Sequence, residues 1–558
     1  MMRLRRVFPG TSVLCLGLMA GPLWGQSGSG AEPARVFRMG DPSLIPLQIT
    51  TFSHRLPLFT NQPLALTNRP LALPSRPLPL EEGSGTAASG SSTAYPNPGS
   101  LRLALGEALL SNFIPWAFNE YVSQYKDITR ISPTRWKENV AAGFQWDDNH
   151  FHINMLMHPY AGSLSYNAGR TNSYRFESSF LFSLFASAFW ECCGESHRPS
   201  PGDLLSTTIG GTALGEVLYR WTSQLLNHAY FQDPPNRWWE APVAVLDPTR
   251  GVTRWILGRY VVPEDSLVSP SSWAIVGKGI PFTSGKEIKP FAEVDYTYGD
   301  VVSITRKSSP FDHFETAVEL AHGDSAQLIG RVQARGNLWS KRWTGQGLCL
   351  VPTTGGALPG CFVRFGNILP FIGFDYINNP AYEFGGQSLG VATFLTIGRY
   401  PGGSHMSLSL DGQGLFGAVK SEHAYLGQLH DERSERDREY DFTLGAGWGA
   451  GAIGAHRRLR ARAFYRVNKH WVVNGSNVVR VVNGKKKLDR TIHKTRLMGV
   501  EARFRLWGRL GVGASFRRYQ RRSVFSSSLE PAPIRKTHDL WSAFLSLEQV
   551  RPLGLFVF

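Results

Sequence analysis

The sequence contains few cysteines and few acidic residues. Five cysteines in 558 residues are too few for a disulfide-stabilised scaffold. Asp and Glu number 43 against 59 Lys and Arg, so the net charge is +16 with His neutral. Beyond the N-terminal segment there is no uncharged apolar run of about 18 residues, which argues against a bundle of membrane helices. A content of 42% hydrophobic and 12% aromatic residues excludes a mostly disordered chain.

The first hundred residues indicate export followed by a linker. Three arginines precede an apolar stretch at 13–24, and the small residues Gly25 and Ser27 suit cleavage near position 27. Residues 1–27 are therefore predicted to be a cleaved signal peptide, and an exported protein is a poor candidate for binding nucleic acid. Residues 28–98 are rich in Pro, Ser and Gly, which predicts a disordered tether; a strand or two among its leucines is the alternative.

Residues 99–262 have the apolar spacing of helices. The helical intervals extend over 101–124, 178–195 and 200–229. The third segment has a clear start, because Ser200 suits the N-cap, Pro201 the first helical position and Asp203 the third. Each apolar run is too short to cross an inner membrane, so we expect helices that pack on protein or lie at an interface.

From residue 285 to residue 558 the apolar pattern changes to a period of two. An example is the alternation of Val500, Ala502, Phe504 and Leu506 with Glu501, Arg503 and Arg505. Repeated segments of about ten residues with one apolar and one polar face predict an antiparallel transmembrane β-barrel of about 12 strands. The terminal Phe558 resembles the last aromatic residue of bacterial outer-membrane barrels. The predicted fold class is thus α+β, a helical block followed by a barrel, and a soluble β-sandwich is the alternative.

The candidate catalytic residues lie in the helical half. Glu191 and Glu195 are four residues apart and therefore share a helix face. Paired carboxylates in partly apolar surroundings raise each other's pKa, which suits acid–base chemistry. His158 and Asp203 complete the candidate set. The sequence has no nucleophile elbow, phosphate-binding loop or zinc-protease motif, so neither a metal nor a cofactor is predicted.

A structural polar network is the competing interpretation of the same residues. The two glutamates would then pair with Arg170 or Arg198, while Ser200 and Asp203 would do no more than cap a helix. Glu216 is placed to form an ion pair with Arg220 one helical turn later. Arg170, Ser200 and Glu216 are accordingly binding candidates in this block.

Three blocks of the helical half resemble a known family. They are HPYAGSLSYNAGR, FWECCGESHRPSPGDLLSTTIGGTALGEVLYR and LDPTRGVTRWILGR. Together they resemble an uncharacterised bacterial envelope family with a domain of unknown function, over about residues 100–260. That resemblance implies export and a barrel context but no activity. A fainter resemblance is to VanZ-like membrane proteins, although Thr207 or Thr208 stands where that pattern prefers Asn.

The positive charge is concentrated late in the chain. Residues 456–522 contain 20 Lys and Arg against two acids. Four arginines alternate with apolar residues and are predicted to line the lumen as binding residues: Arg460, Arg462, Arg503 and Arg505. The expected anionic partners are lipopolysaccharide phosphates or the acidic helical block itself; ordinary solvated polar faces are the alternative.

Three functions follow from this organisation. The first is a non-enzymatic protein of a Gram-negative outer membrane, with the helices as a plug or periplasmic cap, serving envelope maintenance or transport, with a periplasmic protein as a further candidate partner. The second is an envelope enzyme that modifies a lipid or glycan at the acidic helical cluster. The third is a passive porin, disfavoured because a helical insert would block the pore. Cys349 and Cys361 flank a turn-rich loop that a disulfide would close, with two unpaired thiols as the alternative.

Overall fold

The computed structural model describes most of the chain beyond residue 100. The described residues are 101–121, 130–147, 149–230, 237–258, 271–281, 291–299, 309–321, 329–340, 361–365, 368–379, 381–399, 404–421, 440–474, 479–482, 485–488, 491–524 and 533–549. The predicted signal peptide (1–27), the tether (28–98), Cys349 of the proposed disulfide, and Phe558 lie outside them.

The helical block occupies 101–256, within the predicted 99–262. Its α-helices are α1 (Leu101–Tyr121), α2 (Pro133–Ala142), α3 (His158–Thr171), α4 (Phe176–Phe189), α5 (Pro201–Leu205), α6 (Gly211–Tyr230), α7 (Glu240–Leu246) and α8 (Pro248–Ile256). The block also contains three π-helical turns. The first, Ile153–Met157, precedes α3; the second, Trp190–Gly194, follows α4; and the third, Ser206–Gly210, joins α5 to α6. Among the described residues, no helix is both long enough and apolar enough to cross a membrane.

The second half is antiparallel β-structure. Its strands are β1 (Ser271–Pro281), β2 (Phe291–Tyr298), β3 (Phe314–Ala321), β4 (Ile329–Asn337), β5 (Cys361–Phe365), β6 (Leu369–Ile377), β7 (Phe384–Arg399), β8 (His405–Lys420), β9 (Tyr440–His456), β10 (Leu459–Asn474), β11 (Val479–Val482), β12 (Lys485–Leu488), β13 (Ile492–Trp507), β14 (Leu510–Val524) and β15 (Ile534–Gln549). The first strand begins at Ser271, before the predicted barrel start at 285, because its alternation is short and interrupted by glycines.

The strands close into a ring. β1 pairs with both β2 and β15, and β7 pairs with both β6 and β8, so the pairing returns to its starting strand. β5 and β6 pair with successive parts of β7 and so share one position, while β11 and β12 form a separate hairpin. The described strands therefore fill twelve positions around a barrel. This confirms the predicted α+β fold and strand number, and the β-sandwich alternative is wrong.

Alternate side chains face opposite sides of the barrel wall. Arg462 on β10 lies 3.3 Å from Glu293 on β2, although these strands are not neighbours in the ring, so these side chains point into the lumen. Along β13, Glu501 and Arg503 share that buried face, whereas the apolar residues predicted to alternate with them are exposed. The outer wall of these strands is thus apolar and the lumen is polar, as the period of two predicts.

The helical block packs against the outer wall, not inside the lumen. The Trp221 ring of α6 lies 5.1 Å from that of Tyr296, whose side chain points outward on β2. The Trp146 and Phe442 rings are 4.8 Å apart. At Gly385 on β7, an added Cβ would lie 2.3 Å from the Met155 Cβ, so only glycine allows this close approach.

The expectation of a helical plug is therefore corrected. The outer faces of β2, β3, β4 and β6 carry apolar residues, aromatic on β2, β3 and β6, that join Phe151, Met155 and Val217 of the helical block in one apolar core. α6 has 20 residues and extends about 30 Å along this wall. Helix contact and lipid contact both demand an apolar outward face, so alternation alone does not distinguish them.

Candidate functional site

Four buried or partly buried carboxyl groups meet where the helical block approaches β9; we call Asp147, Glu191, Glu195 and Asp203 the carboxyl cluster. Glu191 lies in the π-turn after α4, and its Oε2 accepts a 2.7 Å bond from the Ser200 N–H. Ser200 caps α5 through a 3.2 Å bond that its Oγ accepts from the Asp203 N–H. The predicted N-cap is confirmed, and this cap brings Glu191 and Asp203 together.

Two members of the cluster, Glu191 and Glu195, stay protonated above the usual pH range of a glutamate because their pKa values are raised. Burial, reinforced by Glu195 and Asp203, raises the pKa of Glu191 well above its ordinary value. Burial and the nearby Asp147 raise the pKa of Glu195 to about 8. The sequence analysis attributed the raised pKa values of Glu191 and Glu195 to each other, but burial is the main cause of both. Such groups can store or donate a proton near neutral pH.

His158 lies beside this cluster without joining it as a base. Its Nδ1 is 3.1 Å from Thr207 Oγ1, and burial lowers its pKa although Asp147 opposes that shift. A neutral imidazole follows, paired with a threonine and not with a carboxylate. Among the described residues, no three His, Cys, Asp or Glu side chains gather closely enough to hold a metal ion.

Three residues of the site were missed by the sequence reasoning. Asn154 Nδ2 donates to Asp147 Oδ2 at 2.7 Å and to the Tyr440 hydroxyl at 2.6 Å. The Tyr440 O–H donates in turn to the carbonyl of Asn149. The carboxyl cluster is thereby tied to the first residue of β9. The polar run at 147–150 was a signal for Asp147, but the contact with Tyr440 spans almost 300 residues and required the fold.

Arg170 and Glu216 belong to a separate ion network between α3 and α6. Glu216 accepts bonds from Arg170 Nε, Arg220 Nε and the Tyr166 hydroxyl at 2.8, 2.8 and 2.6 Å. Burial opposes ionisation of Glu216, but the two guanidiniums lower its pKa below the ordinary value. The predicted Glu216–Arg220 pair is confirmed, and Arg170 pairs with Glu216 instead of Glu191 or Glu195. This network holds α3 and α6 together.

The predicted basic residues of the barrel divide into two groups. Arg462 and Arg503 both contact Glu501 and Asp295 in the lumen, and Arg460 lies directly opposite Arg503 in the strand register. Arg505 follows Glu501 and Arg503 on the same face in the strand register and is exposed near the strand end; its predicted lumen position stays a prediction.

The lumen charges are balanced by acids of the barrel itself. Arg517 contacts Glu293 at 2.6 Å and Glu319 at 3.2 Å, and Arg331 contacts the same two acids. These partners lie on β2 and β3. The expectation that the lumen arginines meet the acidic helical block is therefore wrong, because the block is on the other side of the wall.

A second layer of the lumen is apolar. The lumen apolar cluster consists of buried inward side chains from β6, β7, β8, β10, β13 and β14 and from the turn before β7: Ile377, Tyr382, Phe384, Leu415, Val419, Phe464, Leu497 and Tyr519. The Tyr382 and Tyr519 rings are 6.0 Å apart, although β7 and β14 are not neighbours in the ring. Inward side chains thus meet across the lumen in this layer.

Comparison with known proteins gives a family for the helical block alone. A family profile described as "Domain of unknown function (DUF3943)" matches residues 143–249. This match lies within the 100–260 stretch and confirms a resemblance to an uncharacterised family; the VanZ-like resemblance stays a prediction. No curated protein matches the chain.

Solved structures similar to the chain are outer-membrane proteins. OmpT of Vibrio cholerae in its trimer form shares 9% identity over 50% of this chain and 99% of its own, with a TM-score of 0.20. The outer membrane channel DcaP of Acinetobacter baumannii shares 8% identity over 50% of this chain and 94% of its own, with a TM-score of 0.18. Scores this low support no inference about function. This chain is thus similar, over residues 143–249, to a family of unknown function.

Proposed function

We propose that this protein is a non-enzymatic outer-membrane β-barrel that supports the helical block along its outer wall and does not conduct solutes. The observation that carries this proposal is the packing of inward side chains across the lumen. Arginine–carboxylate contacts fill one layer, and the lumen apolar cluster fills another. A passive pore would need a continuous polar path, so a role in envelope maintenance fits the geometry better than transport.

The dimensions of the free outer wall support a membrane position. Outward side chains of β13 are apolar or aromatic from Met498 to Trp507, apart from small Ala502. Nine residue steps cover about 30 Å along a strand, or about 23 Å along the axis at a tilt of about 40°. Outer-membrane barrels carry an apolar band of about 25 Å. The exposed Trp507 lies at one end of this band.

Conductance tests the closed lumen directly. Purified protein in a planar bilayer should show no steady current, whereas Phe464→Ala with Tyr519→Ala should open a measurable one because both side chains belong to the lumen apolar cluster. Phe516→Ala is the matched control, since this neighbouring side chain faces outward and should leave the bilayer silent. A steady current through the unmodified protein would refute the proposal, and recovery of the protein in a non-outer-membrane fraction would refute its location.

The carboxyl cluster favours an envelope enzyme as the second candidate. Buried carboxyls with raised pKa values are typical of acid–base sites, and both Glu191 and Glu195 have them. Lipid and glycan profiles of cells carrying Glu191→Gln or Glu195→Gln should then differ from the parent, with exposed Glu138→Gln as the control. An unchanged profile, with normal protein levels and rescue of the knockout, would exclude the enzyme.

A further inference from the structure

Four cations form a row on the outer wall. In the strand register, Lys469 on β10 lies opposite Lys494 on β13, Lys494 opposite Arg522 on β14, and Arg522 opposite Arg535 on β15. On each strand the residues on either side of these cations face the lumen, so the cations face outward. Lys494, Arg522 and Arg535 are exposed. We call these four residues the cation row. It spans about 15 Å, three strand spacings of about 4.8 Å.

Such a row is unfavourable without an anion. Like charges directly opposite on neighbouring strands destabilise a sheet. None of the four side chains has an ion pair within the described part of the chain. Arg496, at the next outward position on β13 after Lys494, adds a fifth cation. Among the described residues of these four strands, the outward-facing acid near the row is Asp539. It forms an ion pair with Arg518 at 2.7 Å.

Outward polar residues separate the row from the apolar part of the wall on three of the strands: Arg496 on β13, Gln520 and Arg518 on β14, and Thr537 and Asp539 on β15. Moving along the strands towards the turns at 457–458 and 508–509, the outward positions become Val500, Phe516 and Trp541, and then Phe504 and Leu545. A membrane lipid lying on these apolar positions would extend its headgroup past Arg496 and Arg518 towards the cation row. Cations at a membrane surface attract anionic headgroups.

We propose that the cation row binds the phosphates of lipopolysaccharide, through its lipid A part. The row is long enough to contact both phosphates of one diphosphorylated headgroup, while the acyl chains cover the apolar positions below. This inference rests on the proposed membrane position of the barrel. It concerns the outer wall, so it is independent of the lumen arginines.

The test compares two triple variants of the full chain. One replaces Lys494, Arg522 and Arg535 with Gln; the control replaces Arg457, Arg458 and Arg509, exposed cations in the turns at the opposite end of the same strands. Purified proteins in a neutral detergent are titrated with diphosphorylated lipid A, with lipid A lacking both phosphates, and with phosphatidylglycerol. Heat-modifiable gel migration verifies that each barrel is folded.

We expect the row variant to bind diphosphorylated lipid A at least ~10-fold more weakly than the unmodified protein, and the control to stay within about twofold. Removing the phosphates should weaken binding to the unmodified protein but not to the row variant. Equal affinities of row variant and unmodified protein, an equal loss in the control, or equal binding of phosphatidylglycerol would each overturn the inference while leaving the barrel itself intact. If the triple variant does not fold, the single variants Lys494→Gln and Arg522→Gln decide by the same criterion.

Discussion

Replacing Glu216 by Gln should strongly destabilise the helical block. The side chain of Glu216 is fully buried, and those of Arg170 and Arg220 are 7% and 4% exposed. Gln preserves the shape but removes the negative charge, so Arg170 loses its counter-ion and Arg220 keeps only Asp312, at 3.9 Å. Breaking a buried ion pair by removing one partner costs about 3–5 kcal/mol in free energy of unfolding.

The matched control is Glu138→Gln. Glu138 pairs with Arg135 at 3.3 Å on the surface of α2, where both side chains are more than half exposed. Exposed pairs contribute about 1 kcal/mol or less. The assay is loss of helical circular dichroism at 222 nm with increasing urea, in detergent, with barrel folding followed separately by heat-modifiable migration.

Two results decide whether the reasoning is right. If Glu216→Gln and Glu138→Gln lose the same stability within about 1 kcal/mol, the buried network is not a determinant of the block. A triple variant, Arg170→Met with Glu216→Leu and Arg220→Met, removes all three charges at similar volume. It should recover much of the loss, because the cost comes from orphaned charges and not from the missing bonds alone.

Three further predictions concern other contacts. The pKa of Glu195 is raised from 4.5 to about 8, so the folded state holds a proton that the unfolded chain releases. The free energy of unfolding should therefore fall between pH 4.5 and 8 by up to ~1.4 kcal/mol per pH unit. Melting curves of the Glu195→Gln variant should show a flatter dependence on pH. Gly162→Ala places a Cβ 1.9 Å from a backbone oxygen and should lower the melting temperature, whereas Gly106→Ala, with nothing within 4 Å, should not. Gly385→Leu should detach the helical block and expose it to protease, unlike Gly412→Leu on the open wall.

The sequence determined the barrel half of the fold more fully than the position of the helices. On β13 the alternation correctly assigned Val500 and Phe504 to one face and Glu501 and Arg503 to the other, since side-chain direction in a strand is a local property. The same alternation on β2 and β6 marks a wall covered by helices. Periodicity reports an apolar neighbour and does not distinguish lipid from protein.

The candidate site was predictable in its local parts. The helix cap at Ser200 and the pair Glu216–Arg220 depend on residues three or four positions apart, so spacing was sufficient. The lumen arginines were recognised, but their acidic partners on β2 and β3 are separated from them by more than a hundred residues. Only the strand order brings those charges together.

The pairing of β1 with β15 has a consequence for assembly. Trp273 and Gln549 meet in that seam, so the ring closes only when its last strand is in place. The helical block precedes every strand in the chain, and its apolar face therefore exists before the wall that covers it. Ordered contacts between distant parts of a chain form slowly. We therefore expect the apolar face that carries Phe151, Met155 and Trp221 to stay uncovered until the barrel closes.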